Sequence, residues 1–438
     1  MELVDATCSN ENARKVVELS LTGCFHRGHD ALYAAIAAYD WEPNHLAKLV
    51  KGSIPPPKEF PFWLLGVDVT PYPRRYAQTL PDRQMVHQPT VVKGNKPVTI
   101  GHQFSTVGLL PEAEVGLTTS WIVPMATGRV TSKEDKEMMG SEQMNSLLSD
   151  EQLPWYGELT AEVADSSYSK KPYLCANRTH ENLVTICRVA NNRVFYRSPE
   201  AGEEPAGRGH PTWYGTRFGL KDADSWHVPD ETATTAFTSR RDKRYEVQIQ
   251  AWHNMLMRGE RKPVKLPMHQ HPFTLVHIVL IDPETQQPAF KRPLWLIVMG
   301  KRRNEVSALQ AYQAYGKRFN LEHFFRFGKQ KLLLHAFQTP DDEHEEAWWQ
   351  LVHLAYLQLW MARHLARCLP RPWERSLPAM QQKLISPSLV KRDFGRIIRQ
   401  IGTPARPPKP RGISAGCPPD RKRKKRQRHT VIVKGRIK

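Results

Sequence analysis

Pro61–Thr70 reads PFWLLGVDVT: an almost unbroken apolar run that closes on Asp68. The run is short and follows the Pro-rich linker SIPPPKEFP, so it reads as a buried strand rather than a helix. A carboxylate at the end of such a strand is costly unless a cation compensates it. The pattern recurs at Glu158–Tyr168, ELTAEVADSSY, where Leu159, Ala161, Val163 and Asp165 alternate onto one face and Asp165 closes the strand. Taken singly, each Asp is equally well a loop residue capping a turn. Between the two acids, KPVTIGHQFS and LTTSWIVPMATG add two more strands, and a polar helix lies around Lys136–Leu148.

Downstream, residues 191–291 are rich in Pro, Gly and charge, with strand-like runs RVFYRS, RYEVQIQAW and FTLVHIVLI at wide intervals. This texture predicts a mostly β insertion. RPLWLIVMG then restores the earlier style and leads into Ala314–Gln330, AYGKRFNLEHFFRFGKQ. There Tyr315, Arg318, Glu322 and Lys329 are spaced by three, four and seven, which on one α-helix forms a stripe roughly 60° wide. An acid, two cations and a phenol on one face suit a metal held beside a phosphate, although salt-bridged helix faces show the same spacing. HEEAWWQLVHLAYLQLWMARHLARCL follows as a long core helix, and Ser386-Pro387 starts a further one. Before the linker, NARKVVELSL, GHDALYAAIAAY and HLAKLV read as short helices, the last with Asp40 as its N-cap.

The expected divisions are a helical region at 1–58 as a candidate DNA-binding part, and core segments at 59–190 and 292–370 that flank the insertion. A C-terminal helix at 371–402 and a basic disordered tail at 403–438 complete the chain. The net charge of +19 is uneven: from Thr403 onward there are thirteen Lys and Arg against Asp420 alone. A basic body with a polycationic tail predicts a polyanionic partner, nucleic acid ahead of membrane. The six cysteines form no CxxC pair, which argues against a zinc or disulfide framework. No secretory segment opens the chain, and its most apolar runs are too short to span a bilayer, so the expected setting is the cytoplasm.

Two strand-end Asp residues and a helix Glu can converge on a pair of Mg²⁺ ions, hard cations that prefer oxygen ligands. In this order (strand–Asp, two strands, helix, strand–Asp, β insertion, strand, helix–Glu) the chain resembles the ribonuclease-H-like core of DDE transposases. The pattern Y-x2-R-x3-E-x6-K of Tyr315, Arg318, Glu322 and Lys329 is similar to the motif of the bacterial cut-and-paste insertion-sequence branch. The resemblance covers roughly residues 60–370. It implies an α/β ribonuclease-H-like mixed sheet with a β-rich insertion. It implies Asp68, Asp165 and Glu322 as catalytic metal ligands for two Mg²⁺ ions, with Mn²⁺ as substitute, and Tyr315, Arg318 and Lys329 as DNA-phosphate contacts. The implied partners are double-stranded DNA, as terminal inverted repeats and target, and a second copy of the chain when assembled on DNA. Two other readings remain open: a ribonuclease-H-like structure-specific nuclease, and a non-catalytic DNA-binding derivative.

Weaker signals come from the insertion. Trp213, Trp226 and Trp252 suit core packing, or stacking of an extruded base as in hairpin-forming members of that group. His269 and His271, in MHQHP, have a metal-like spacing but no further ligands nearby. Tyr168, three residues after Asp165, either lines the site or packs.

Overall fold

The computed structural model describes residues 1–438 apart from 41, 43, 88–96, 200–212, 240, 261–265, 369–370, 377–383, 409–424 and 434–438. The chain is mixed α/β and folds into two compact units. One comprises Met1–Ile54, Val69–Lys136 and Asn320–Lys438; the other comprises Pro55–Asp68 and Glu137–Phe319.

The second unit is built on a mixed sheet. Strand β1 (Trp63–Pro73) enters it as far as Asp68 and pairs in parallel with β5 (Thr160–Ala164), which pairs in parallel with β6 (Leu183–Arg188). Beyond β6 the sheet turns antiparallel through β12 (Leu294–Gly300), β11 (Phe273–Ile281), β10 (Arg244–Met255) and β9 (Glu231–Thr238). The small strands β7 (Val194–Tyr196) and β8 (Arg217–Gly219) pair beside it. The β texture expected of the insertion is therefore present in its described residues.

Strand β5 is buried along its whole length, as strands of a parallel layer covered on both faces are. The alternation expected at Leu159–Asp165 is accordingly overridden: Thr160 and Glu162, on the other face, are as buried as Ala161 and Val163. Helix α6 (Ala308–Lys317) covers β5 and β6. Helix α4, which spans Lys136–Leu148 as expected, packs close to β1, because a Cβ at Gly140 would lie only 2.9 Å from Val67 Cγ2. Glu162, in the middle of β5, is enclosed by α5 (Lys171–Asn177). It accepts hydrogen bonds from Tyr173 Oη, from Asn177 Nδ2 at 2.7 Å and from Thr185 Oγ1 at 3.1 Å. Burial dominates those bonds and pushes its pKa up to about 7.

In the first unit, β3 (Val98–Leu109) pairs antiparallel with β2 (Gln84–His87) and β4 (Val123–Val130). The helix α8 (Asp342–Met361) lies on β4, with Trp348, Trp349, Tyr356 and Trp360 fully buried. Its N-terminus is capped by Asp341, whose side chain accepts from His344 N at 3.2 Å. The single long helix expected to run through Cys368 is instead broken. It ends at Met361, and α9 (Arg363–Cys368) begins at Arg363, which lies over the Trp360 ring at 4.0 Å and clamps Glu114.

The N-terminal helices belong to this unit. An unforeseen α1 (Glu2–Ser9) packs on α8 and on α10 (Pro387–Ile401), which starts at Ser386-Pro387 as expected. It is buried from Glu2 to Cys8, so no polar face announced it. NARKVVELSL forms only a short 3₁₀ turn over Val16–Leu21, whereas α2 (His29–Ala37) and α3 (His45–Val50) appear where expected. Asp40 does not cap α3; Asn44 occupies that position with φ 57°, in the left-handed region, and makes no side-chain cap. The disorder expected over 403–438 concerns mainly residues outside those described. Within them, His429 N donates to Gln78 O at 2.9 Å and Ile432 bridges Gln84 in parallel.

Candidate active site

The paired residues of β1 and β5 differ by 97 in number, from Trp63↔Thr160 to Gly66↔Val163. Continuing that register by two residues sets Asp68 level with Asp165. The register of β5 with β6, which ends at Ala164↔Cys187, likewise sets Asp165 level with Arg188. Adjacent strands lie about 4.8 Å apart, so three neighbouring strands present acid, acid and cation side by side, although Asp68 does not close its strand as expected, since β1 runs on through it to Pro73. The sequence separation between the two Asp is thus the pairing offset of their strands.

Asp165 is fixed by its own backbone surroundings: it caps the 3₁₀ turn Ser166–Ser169 and accepts from Ser167 N at 2.7 Å. Asp68 faces Arg318, whose Nη1 lies 3.4 Å from its Oδ2, with both side chains largely buried: Arg318 is 9% and Asp68 18% exposed. That guanidinium supplies the compensating charge which a carboxylate following an apolar run needs. Tyr168, three residues past Asp165, is fully buried. Burial raises its hydroxyl pKa well above the ordinary tyrosine value, and Asp68, Asp165, Glu162 and Glu137 raise it further. The phenol therefore stays protonated, and among the described residues its oxygen has no hydrogen-bond partner.

Tyr315 is buried at the end of α6. Desolvation raises its pKa, Arg318 and Arg188 oppose that, and Asp165 adds to it. Tyr315, Arg318, Arg188 and the Asp pair therefore share one electrostatic neighbourhood within the second unit. Arg188 escaped the sequence reading. Its only signal was the cation closing the apolar strand LVTICR.

The single helix stripe expected for Tyr315, Arg318, Glu322 and Lys329 is interrupted. Helix α6 ends at Lys317, Arg318 forms a tightened turn by donating its N–H to Tyr315 O at 3.1 Å, and α7 (Phe319–Lys331) begins anew. Arg318 lies over the Tyr315 and Phe319 rings, at 5.9 and 5.1 Å. Glu322 and Lys329, two turns apart on α7, keep a common face. Glu322 is exposed in the first turn, and Lys329 Nζ donates to Thr70 Oγ1 at 2.6 Å, two residues beyond Asp68 on β1.

Among the described residues, no group of three or more His, Cys, Asp and Glu is gathered closely enough to hold a metal ion. The donor chemistry of Asp68 and Asp165 nonetheless fits a hard divalent cation, since two carboxylates end level on adjacent strands. The histidines of MHQHP are otherwise engaged: His269 stacks on Trp213 with ring centroids 3.9 Å apart, and His271 Nδ1 accepts from Arg178 Nε at 3.1 Å. Trp252 is core, and Trp226 packs against it and donates to Gly219 O at 2.8 Å.

Two Asp residues thus stand level in a mixed α/β sheet, Asp68 within β1 and Asp165 just past the end of its parallel neighbour β5. The chain belongs to the DDE superfamily endonucleases, whose family model matches residues 1–259. That span contains Asp68 and Asp165 and stops before Glu322. No curated protein matches the chain. Membership makes the protein a transposase-like nuclease with DNA as substrate. Among the described residues, no helix is long and apolar enough to cross a membrane.

Proposed function

We propose that the chain is a cut-and-paste DDE transposase of the insertion-sequence branch, which cleaves DNA at terminal inverted repeats and joins the released ends to target DNA. The observation that carries this reading is the level placement of Asp68 and Asp165, within a family of DNA endonucleases. Asp68, Asp165 and Glu322 would hold two Mg²⁺ ions, or Mn²⁺. When bound, such ions activate the attacking oxygen and stabilise the leaving one.

In the first reaction a water oxygen attacks the phosphorus at the element boundary, the bond to the 3′ oxygen breaks, and a 3′-OH is released. In the second, that 3′-OH attacks a target phosphodiester; a new P–O bond forms and the target's own 3′ oxygen leaves. Neither step needs a covalent enzyme intermediate. Arg318 and Lys329 hold phosphates of the reacting strand, because charge-assisted bonds to phosphate are stronger than neutral ones. Tyr315 supports Arg318 from beneath, and Arg188 adds a further cation beside Asp165. The buried, protonated Tyr168 keeps the floor of the site closed to water. Two copies assemble on a pair of ends, each supplying one set of acids.

The test is incubation of purified protein with a plasmid carrying the inverted repeats that flank its gene. Cleavage at the repeat boundary and joined products in Mg²⁺ or Mn²⁺, both lost with EDTA, are expected. Cleavage without joining would indicate a nuclease lacking strand transfer, and binding without cleavage a non-catalytic derivative.

A further inference from the structure

Among the described residues β9 is the last strand of its sheet, with β10 on one side only. It is eight residues long and runs without a bulge, since every pair from Arg244↔Thr238 to Ala251↔Glu231 keeps one register. At the turn that joins the two strands, Ser239 N donates to Lys243 O at 2.8 Å, in the same register. Hydrogen-bonded pairs alternate along an antiparallel ladder. Glu231, Ala233, Thr235 and Phe237 therefore bond β10, while Thr232, Thr234, Ala236 and Thr238 turn their backbone N–H and C=O outward. Those four residues are all exposed.

Edge strands are ordinarily guarded against further pairing by a charged side chain, a proline, a bulge or a covering element. From Thr232 to Thr238 the sequence TATTAFT carries no charge and no proline. Its two faces differ. Glu246 and Gln248, opposite Ala236 and Thr234, are exposed and mark the solvent face; Val247 and Ile249, opposite Thr235 and Ala233, are buried and mark the core face. On the core face Phe237 remains 42% exposed, with only the Tyr245 ring beside it among the described aromatic residues, centroids 6.4 Å apart. The two ends differ in sign. Asp230 and Glu231 open the strand, where Arg197 and His253 engage them. Arg241, Lys243 and Arg244 surround its other end, against Asp242 and the Asp282 that pairs with Lys243.

We propose that β9 pairs antiparallel with β9 of a second copy of the chain, joining the two sheets across a two-fold axis in the absence of DNA. The register that uses all four outward residues sets Thr232 against the partner's Thr238 and Thr234 against the partner's Ala236, each pair exchanging both backbone bonds. On the core face Ala233 then meets the partner's Phe237, a small side chain beside a half-exposed ring, and Thr235 meets the partner's Thr235 on the axis. Such a contact is isologous and closes at two copies. It opposes no like charges, and it lays the basic end of each strand beside the acidic end of the other, whereas parallel pairing would set like ends together. A foreign strand could use the same backbone bonds; the match of Ala233 to Phe237 under two-fold reversal selects a second copy. The inference goes beyond the transposase reading, because the contact needs neither DNA nor cleavage.

Analytical ultracentrifugation of the full chain without DNA, at about 100 μM, reads the mass of the species; dimers predominate there for any Kd below about 10 μM. The wild type should sediment at twice the monomer mass. Thr234→Pro removes one outward N–H and leaves the β9–β10 bonds, which the odd-numbered residues make, so it should be monomeric. Thr234→Lys with Ala236→Lys opposes like charges across the axis, as does Thr234→Glu with Ala236→Glu. Each of these double variants should be monomeric alone, and their equimolar mixture should recover the twofold mass. Both alter exposed side chains only, and urea midpoints report whether they fold. A monomeric wild type, a dimer that survives both double variants, or folded Lys and Glu variants that stay monomeric when mixed would overturn the proposal.

Discussion

Glu162 shows how one residue near the acid pair reports on its surroundings. Three donors favour its charged form, yet full burial wins and moves the pKa from 4.5 to about 7. The folded protein therefore holds this proton more tightly than the unfolded chain does. The group's contribution to stability is complete below about pH 4.5 and is lost as pH rises through 7, a change on the order of 3 kcal/mol. Glu162→Gln, which can turn its carbonyl toward Asn177 and Thr185 and its amide toward the Tyr173 oxygen, should flatten that dependence. Urea denaturation at pH 5, 6, 7 and 8 measures it, and an unchanged slope in the variant would place the titrating group elsewhere. Asp68 solves the same desolvation problem with a cation: Arg318 stands 3.4 Å away, where an acid following an apolar run had already required one.

At the scale of elements, the acid pair depends on β1 lying close under α4. Gly140→Ala puts a Cβ 2.9 Å from Val67 Cγ2 and 3.3 Å from the Tyr168 ring, both buried. The helix must then lift from the strand that carries Asp68, at a cost of about 1–3 kcal/mol. A lower urea midpoint at unchanged m-value is expected, and equal midpoints would show that the packing yields freely. Much at this scale was legible: both acid strands, the position of α4, the β-rich insertion and the Ser386-Pro387 helix start follow from local apolar runs and capping chemistry. What local pattern cannot express is pairing between distant segments. The offset of 97 between the two Asp was visible as a number, and only the β1–β5 register gives it meaning. The break at Arg318 also escaped, because the lone Gly316 before it is tolerated within a helix and the Arg318 side chain is engaged by Asp68 from far along the chain. Arg188 was missed for the same reason, since a cation after an apolar strand gains significance only from the strand beside it.

For the molecule as a whole, charge and chemistry are separable. Removing residues 409–438 takes away most of the tail's cations. DNA affinity should therefore fall, and its dependence on salt should flatten by about 0.9 in log–log slope for each phosphate the protein no longer neutralises. Preference for element ends over random DNA should survive, because phosphate contacts carry no sequence information. Loss of that preference at fixed salt would make the tail a specificity element. The central proposal is that Glu322 acts with Asp68 and Asp165 as the third acid of a metal-dependent DNA-cutting enzyme. Single-turnover cleavage of end DNA in Mg²⁺ by Glu322→Gln, with end binding followed in parallel, tests it most directly, because the substitution keeps the size of the side chain and removes its charge. The account predicts wild-type binding with cleavage and strand transfer lowered by orders of magnitude; cleavage at a near wild-type rate would contradict it and place the catalytic acid elsewhere.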